Sequence, residues 1–210
     1  MKNKDYWNLR AKKNKQTIKS TTNFNLIKEF EISILKYLFE KYLKKKSLKI
    51  LELGCGNGVN LKSLKTIFPK FEFYGIDYSK EMIKHAKKNN NNINFIKADI
   101  TKTNIYNELP KFDVIFTNRC LINLKSENKI NLAISKSEYL LKKGGYFIFL
   151  ENFINGHKNQ NKLRKVLKLR YRKIAKFNKF LDERSFLNLL KKYFKILENV
   201  NYSSLNDLLL

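Results

Sequence analysis

The chain has 210 residues, 43% of them hydrophobic and 13% aromatic, which is enough apolar material for one domain with a full core. No apolar run approaches the ~20 residues that span a membrane, no signal region follows the basic N-terminus, and the two cysteines suggest no disulfide framework, so we expect a cytoplasmic protein. The net charge of +26 suggests nucleic-acid binding, but only six of the 44 basic residues are arginine, the residue that usually contacts phosphates and bases. We therefore favour compositional drift in an AT-rich genome as the cause of the charge.

Strands and helices alternate along the chain. Apolar runs predict six strands, over 48–53, 71–77, 93–100, 112–118, 146–152 and 194–202. Helical spacing and caps predict helices over 26–42, 59–68, 80–88, 126–141, 158–176 and 183–193. Repeated strand–helix units with apolar strands predict an α/β domain whose parallel sheet is covered on both faces.

The segment from Leu51 to Gly58, LELGCGNG, is the most informative part of the chain. A strand ends there in glycines at positions 54, 56 and 58, and a predicted helix follows. Such a turn occurs for steric reasons as well, but it is also where backbone comes close to a nucleotide. A dinucleotide motif would have its third glycine three residues after the second, whereas here it comes two residues after, so this motif does not match. No GK[ST] follows either, which excludes a P-loop.

Polar residues end the next strands of the predicted sheet. Asp77 lies about 20 residues after the glycine turn, where a carboxylate accepts hydrogen bonds from ribose hydroxyls. Asp99, Asn118 and Glu151 end strands three, four and five. One such residue is often a helix cap or turn former, but the carboxyl ends of parallel strands are also where ligands bind. The series predicts a binding site at this edge of the sheet.

With ELGCGNG matching E/D-x-G-x-G-x-G at every fixed position, the chain resembles the class I S-adenosylmethionine (SAM)-dependent methyltransferases. GIDYSKEMI, KADI, FDVIFTN and LLKKGGYFIF extend the resemblance over about residues 6–202. It implies a three-layer Rossmann-like, mostly parallel sheet, SAM as cofactor and no metal. It also implies a single domain over 1–210, with a helical segment at 1–46, a SAM-binding core at 47–152 and a substrate-side segment with the last strand at 153–210.

The resemblance also implies the cofactor contacts. Glu52 and the glycine turn approach the methionine portion, Asp77 holds the ribose, Asp99 the adenine, and Asn118 lines the methyl-donor end. The implied set is Glu52, Gly54, Cys55, Gly56, Asp77, Tyr78, Met82, Asp99, Ile100 and Asn118.

Methyl transfer from a sulfonium needs mainly positioning and a deprotonated acceptor. Glu151 and His157 are the candidate bases, although a single loop histidine is often structural. Arg119 is a candidate for binding a carboxylate or phosphate of the acceptor, and the alternative is a buried salt bridge.

The acceptor is the open question. NRCLINL at 118–124 and FLENF at 149–153 resemble a subgroup of polysaccharide and sugar-nucleotide biosynthesis enzymes, although 176–178 is Lys-Phe-Asn where that subgroup has Trp-His-Asn. We expect methyl transfer to an O or N of a small molecule, such as a sugar or sugar nucleotide. The alternatives are an RNA or protein methyltransferase that uses the basic surface, and a SAM-binding protein without catalysis.

Two features of the C-terminal part bear on the acceptor and on assembly. Ten basic and no acidic residues occur over 158–179, which we interpret as a solvated helix face, with a positive rim that attracts an acidic acceptor as the alternative. Relatives usually end with a seventh, antiparallel strand, but only eight residues follow strand six. We therefore expect that strand to be missing. We also expect that the C-terminal tail is poorly ordered, that the gene product is truncated, or that the protein forms a homodimer through the open edge of the sheet.

Overall fold

The computed structural model describes residues 3–14, 17, 20–21, 25–102 and 104–202. The α-helices of these residues are α1 (Asn3–Asn14), α2 (Asn25–Tyr42), α3 (Val59–Ile67), α4 (Lys80–Asn89), α5 (Glu127–Leu140), α6 (Ile154–Val166) and α7 (Glu183–Leu190). The strands are β1 (Lys49–Leu53), β2 (Glu72–Asp77), β3 (Asn94–Lys97), β4 (Phe112–Asn118) and β5 (Leu141–Leu150). Short 3-10 helices occupy Asn104–Asn107 and Leu121–Asn123. None of the helices in the described ranges is long and apolar enough to cross a membrane.

All five strands form one parallel sheet in the order β3-β2-β1-β4-β5. The chain builds the sheet outwards from β1 to β3, and then returns to the other side of β1 with β4. The carboxyl ends of β1 and β4 therefore lie at the point where the strand order reverses, which is where such sheets bind ligands. The α/β class and the parallel sheet predicted from the sequence are confirmed.

Apolar side chains cover both faces of the sheet. Because successive strand residues point to opposite faces, Ile50 belongs to a cluster with Leu35 and Phe39 of α2, while Leu51 belongs to one with Ile130 of α5. Ile50 and Leu51 are both fully buried, as the continuous apolar pattern of β1 predicts. The domain therefore has three layers.

The predicted helix over 158–176 is wrong in its extent. Helix α6 ends at Val166, and Lys168 has a φ of 55°, a left-handed conformation that stops a helix. Asn161 instead holds the following segment, because its side-chain Oδ1 accepts from the Arg172 backbone N–H at 2.8 Å and its Nδ2 donates to the Arg172 carbonyl at 3.0 Å. Tyr171, which lies beyond the end of α6, is 68% exposed.

The predicted sixth strand over 194–202 is also wrong, because these residues form no strand. Glu198 accepts hydrogen bonds there from Lys41 Nζ at 2.8 Å and from the Tyr42 hydroxyl at 2.7 Å, which hold the segment against α2. No strand of the described ranges pairs with the outer edge of β5. Residues 203–210, to which the predictions about the C-terminal tail apply, lie outside the described residues.

Candidate functional site

A cavity of about 510 Å³ opens at the carboxyl ends of β1, β2 and β4. Its volume lies within the ~300–1,000 Å³ range of small-molecule sites. All ten predicted cofactor residues line it, together with Arg119 and His157, whereas Glu151 lines an adjoining groove along β5, to which Arg119 and His157 also belong. The topology therefore brings side chains from distant parts of the chain to one site.

The glycine turn after β1 is required by its backbone conformation. Gly54, Gly56 and Gly58 have φ values of 71°, 55° and 79°, which L-residues with a side chain rarely adopt. A Cβ atom on Gly54 would also overlap the Sγ atom of Cys120. The turn therefore presents bare backbone to the cavity.

Asp77 joins this turn to helix α4. Its Oδ2 accepts from the Gly56 backbone N–H at 3.0 Å, and its Oδ1 accepts from the Ser79 N–H at 2.8 Å. Ser79 in turn caps α4 by accepting from the Met82 N–H at 3.2 Å, as the sequence predicts. Burial raises the pKa of Asp77 to about 6. The carboxylate therefore lies at the cavity wall with its position fixed by two backbone donors.

The residues that follow β2 and β3 form the next part of the wall. Asp99 lies two residues beyond β3 and is exposed, and its Oδ1 accepts from the backbone and side chain of Thr101. Ile100 beside it is buried. Tyr78 is partly buried, its pKa is raised by burial, and its hydroxyl has no hydrogen-bond partner in the described part of the chain.

A buried charge network, which the sequence does not reveal, lies behind the glycine turn. Lys28 Nζ on α2 is 2.7 Å from Glu31 Oε2 and donates to Asn60 Oδ1 at 3.0 Å. Asn60 Nδ2 donates to Glu52 Oε1 at 2.5 Å. In the sequence, Lys28 and Glu31 look like the polar face of an amphipathic helix. Only the position of Lys28 directly after the apolar Ile27 hints at burial.

The end of β4 joins the same network. Arg119 Nε is 2.6 Å from Glu31 Oε1, and Asn118 Nδ2 donates to Glu31 Oε2 at 3.0 Å. Burial alone would raise the pKa of Glu31, but the charges of Arg119 and Lys28 hold it below its usual value. Burial lowers the pKa of Lys28. Of the two roles considered for Arg119, the salt bridge is present, and the guanidinium also lines the cavity.

Glu52 is buried with one of its oxygens unused. Its Oε2 has no hydrogen-bond partner among the described residues, and neither has Asn118 Oδ1. Burial raises the pKa of Glu52 to about 8, so its neutral form predominates at pH 7. Glu52 and Asn118, which both line the cavity, therefore each have one buried oxygen without a partner among the described residues.

The raised pKa of Glu52 predicts that the protein loses stability as pH rises. The folded state holds this proton more tightly than the unfolded state does, so the contribution is present below pH ~4.5 and is lost through pH ~8. In Glu52→Gln, a neutral isostere, we expect the fall in unfolding free energy between pH 5 and pH 8 to be smaller by about 3 kcal/mol. Urea unfolding of both proteins at pH 5, 6.5 and 8 measures it, and parallel pH profiles would contradict it.

Glu151 and His157, the two candidate bases, have different surroundings. The Glu151 carboxylate accepts from the backbone N–H groups of Cys120 and Leu121, both at 3.0 Å, and burial raises its pKa to about 7. His157 is buried, its ring packs edge-on against Phe180, and its Nε2 is 3.1 Å from Asn161 Nδ2.

The strand order, the glycine turn and the cavity at the switch point define a Rossmann-like protein that binds a nucleotide-containing cofactor. Residues 44–196 match the model of the methyltransferase domain family, and the chain belongs to this family. The predicted membership of the class I SAM-dependent methyltransferase superfamily is thereby confirmed.

Similarity to curated proteins is confined to part of their length. The chain is 34% identical over 96 residues to the malonyl-[acyl-carrier protein] O-methyltransferase of Bacillus cereus, covering 45% of this chain and 35% of that protein. It is 29% identical over 150 residues to phosphoethanolamine N-methyltransferase 1 of Zea mays, covering 70% of this chain and 29% of that protein. The chain thus spans about a third of the length of these relatives.

Solved structures share the fold over more of the chain. The PH0226 protein of Pyrococcus horikoshii superposes with a TM-score of 0.65 at 22% identity, over 85% of this chain and 88% of that one. The plantazolicin methyltransferase BpumL, solved with S-adenosylhomocysteine (SAH), superposes with a TM-score of 0.63 at 20% identity, over 91% and 73%. At these identities the likeness concerns the fold.

Proposed function

We propose that the protein is a SAM-dependent methyltransferase that transfers a methyl group to an oxygen or nitrogen of a small molecule. The observation that carries the proposal is the cavity at the switch point, which collects all ten residues that the family resemblance assigns to the cofactor. The matched relatives act, by their names, on both kinds of atom, one as an O-methyltransferase and one as an N-methyltransferase.

The residues present fit SAM. Gly54 and Gly56 line the cavity without side chains, and Asp77 offers a carboxylate at the cavity wall for ribose hydroxyls. The unused Oδ1 of Asn118 suits a donor such as the ammonium group of the methionine portion, whose charge would favour the ionised form of Glu52, in which Oε2 is an acceptor too. Asp99 and Ile100 would hold the adenine, with Tyr78, Met82 and Cys55 completing the wall. When bound, SAM supplies a methyl group on a sulfonium that is open to in-line attack.

The protein's own contribution is to position the acceptor and keep water out. We propose that Glu151 acts mainly by holding the 3-10 helix Leu121–Asn123, since backbone N–H groups at its start already occupy the carboxylate. Because Asn161 Oδ1 accepts from the Arg172 backbone, its Nδ2 faces the His157 ring, so His157 Nε2 accepts and the neutral ring carries its proton on Nδ1. The Nε2 lone pair is therefore occupied as well, and His157 could take a proton from the acceptor only after releasing Asn161.

Calorimetry with SAH, followed by activity assays, tests the proposal. We expect one SAH molecule to bind per chain, and isotope-labelled SAM to methylate at least one acceptor in a panel that begins with sugar nucleotides. Absence of SAH and SAM binding would refute the proposed function. Binding with no methylated product from the panel would instead favour a SAM-binding protein without catalysis.

A further inference from the structure

Charge is divided unevenly between the two sides of the cavity. The cofactor side, formed by β1, β2, β3 and the turns after them, contributes all of the acidic lining residues in the described part of the chain, Glu52, Asp77 and Asp99. The opposite side is formed by residues 119–129 and 152–180. It contributes four cationic lining residues, Arg119, Lys129, Arg172 and Lys173, and two further cations line the cavity from elsewhere, Arg10 on α1 and Lys28 on α2.

These cations come from separate elements and converge on one opening. Lys129 lies in the first turns of α5, and Lys173 lies in the segment that Asn161 holds against α6. Arg119 pairs with Glu31, with its Nε 2.6 Å from Glu31 Oε1.

Among the described residues, no acidic residue of 119–129 or 152–180 lines the cavity. Glu127, on the same turn of α5 as Lys129, pairs with Lys179 at 3.6 Å, and neither residue of that pair lines the cavity. The polar residues that complete the acceptor side are the neutral Asn123, Asn152, Gln160 and Asn178, with His157. A concave surface with one sign of charge concentrates its field on what enters it.

We infer that the acceptor carries an anionic group, a phosphate or a carboxylate, that binds on this side against Lys129, Arg172 and Lys173. The inference rests on the proposed function and specifies its substrate class. It assigns a role to the basic stretch over 158–179, whose Arg172 and Lys173 line the cavity because the chain leaves the helical conformation at Lys168.

The test uses SAH-saturated protein and three probes: UDP for phosphate, malonate for carboxylate, and uridine as the neutral counterpart of UDP. We expect UDP or malonate to bind and uridine to bind at least 10-fold more weakly than UDP. In Lys129→Gln/Lys173→Gln, anion affinity should fall about 10-fold while SAH affinity stays unchanged. The matched control, Lys191→Gln/Lys192→Gln, removes two exposed lysines that line neither the cavity nor the groove along β5, and it should bind the anions as the wild type does.

The outcomes separate this inference from the proposed function. If the wild-type protein does not bind SAH, the methyltransferase assignment itself is refuted. If SAH binds but neither UDP nor malonate does, only the inference of an anionic acceptor is overturned. The same holds if uridine binds as tightly as UDP and malonate does not bind. An equal loss of anion affinity in both double variants would also overturn it, since the effect would then come from the general charge of the chain.

Discussion

In Asp77→Ala, SAM affinity is expected to fall about 100-fold. The carboxylate is 8% exposed, lies at the wall of the cavity and accepts hydrogen bonds from the Gly56 and Ser79 backbone N–H groups. Its removal takes away the acceptor proposed for the ribose hydroxyls and releases the glycine turn from α4. Hydrogen bonds to a charged group contribute about 1.5–3 kcal/mol each, and losing the two proposed bonds to the ribose hydroxyls at the lower end of this range, about 3 kcal/mol, corresponds to about two orders of magnitude in affinity.

Calorimetry with SAM measures this loss, and Asp182→Ala is the matched control. Asp182 is an exposed N-cap of α7 that accepts from the Ser185 N–H at 2.9 Å, and it lines neither the cavity nor the groove along β5. Asp77→Asn keeps the shape and one acceptor oxygen, so it should retain the fold and lose affinity to an intermediate degree. Wild-type affinity in Asp77→Ala and Asp77→Asn would contradict the cofactor assignment.

Lys28→Met is expected to lower the free energy of unfolding by about 3 kcal/mol. Lys28 is 3% exposed, and its ammonium group lies between Glu31 and Asn60, which in turn binds Glu52. Methionine fills a similar volume but leaves Asn60 Oδ1 without its donor and Glu31 with one cation fewer. Removing one partner of a buried ion pair typically costs about 3–5 kcal/mol, and Arg119 still pairs with Glu31, so the lower end applies.

Urea unfolding measures the effect, with Lys36→Met as the control on the same helix. Lys36 and Glu40 form an i,i+4 pair at 3.8 Å with side chains that are 49% and 55% exposed. Such pairs contribute about 0.5 kcal/mol or less. Equal losses in the two variants would show that the network around Glu31 does not stabilise the fold.

The elements nearest the cofactor were the most predictable, because local chemistry decides them. Glycine is required where φ is positive, so the turn at Gly54 and Gly56 is visible in the sequence, and a serine before a helix is a recognisable cap, as Ser79 is. The bounds of β4 coincide with the prediction because the run is apolar throughout and buried on both faces.

Two predictions failed where local pattern and tertiary contacts disagree. The helical spacing over 158–176 continues past Val166, but the pairing of Asn161 with the Arg172 backbone stabilises a non-helical path that no periodicity reveals. The apolar run over 194–202 favours a strand, yet Glu198 is held by Lys41 and Tyr42 of α2 and the segment does not pair with β5. Strand formation needs a partner strand, which a sequence pattern does not supply.

The sequence alone determined the alternation of strands and helices, the glycine turn with Asp77 after it, and hence the class of protein, because spacing and residue type decide backbone conformation locally. Only the tertiary structure decided that Lys28, Glu31 and Arg119 share one buried network, and that Lys129 and Lys173 line one cavity. These residues are distant in the chain, and burial is a property of the packed domain that sets both their pKa values and their partners.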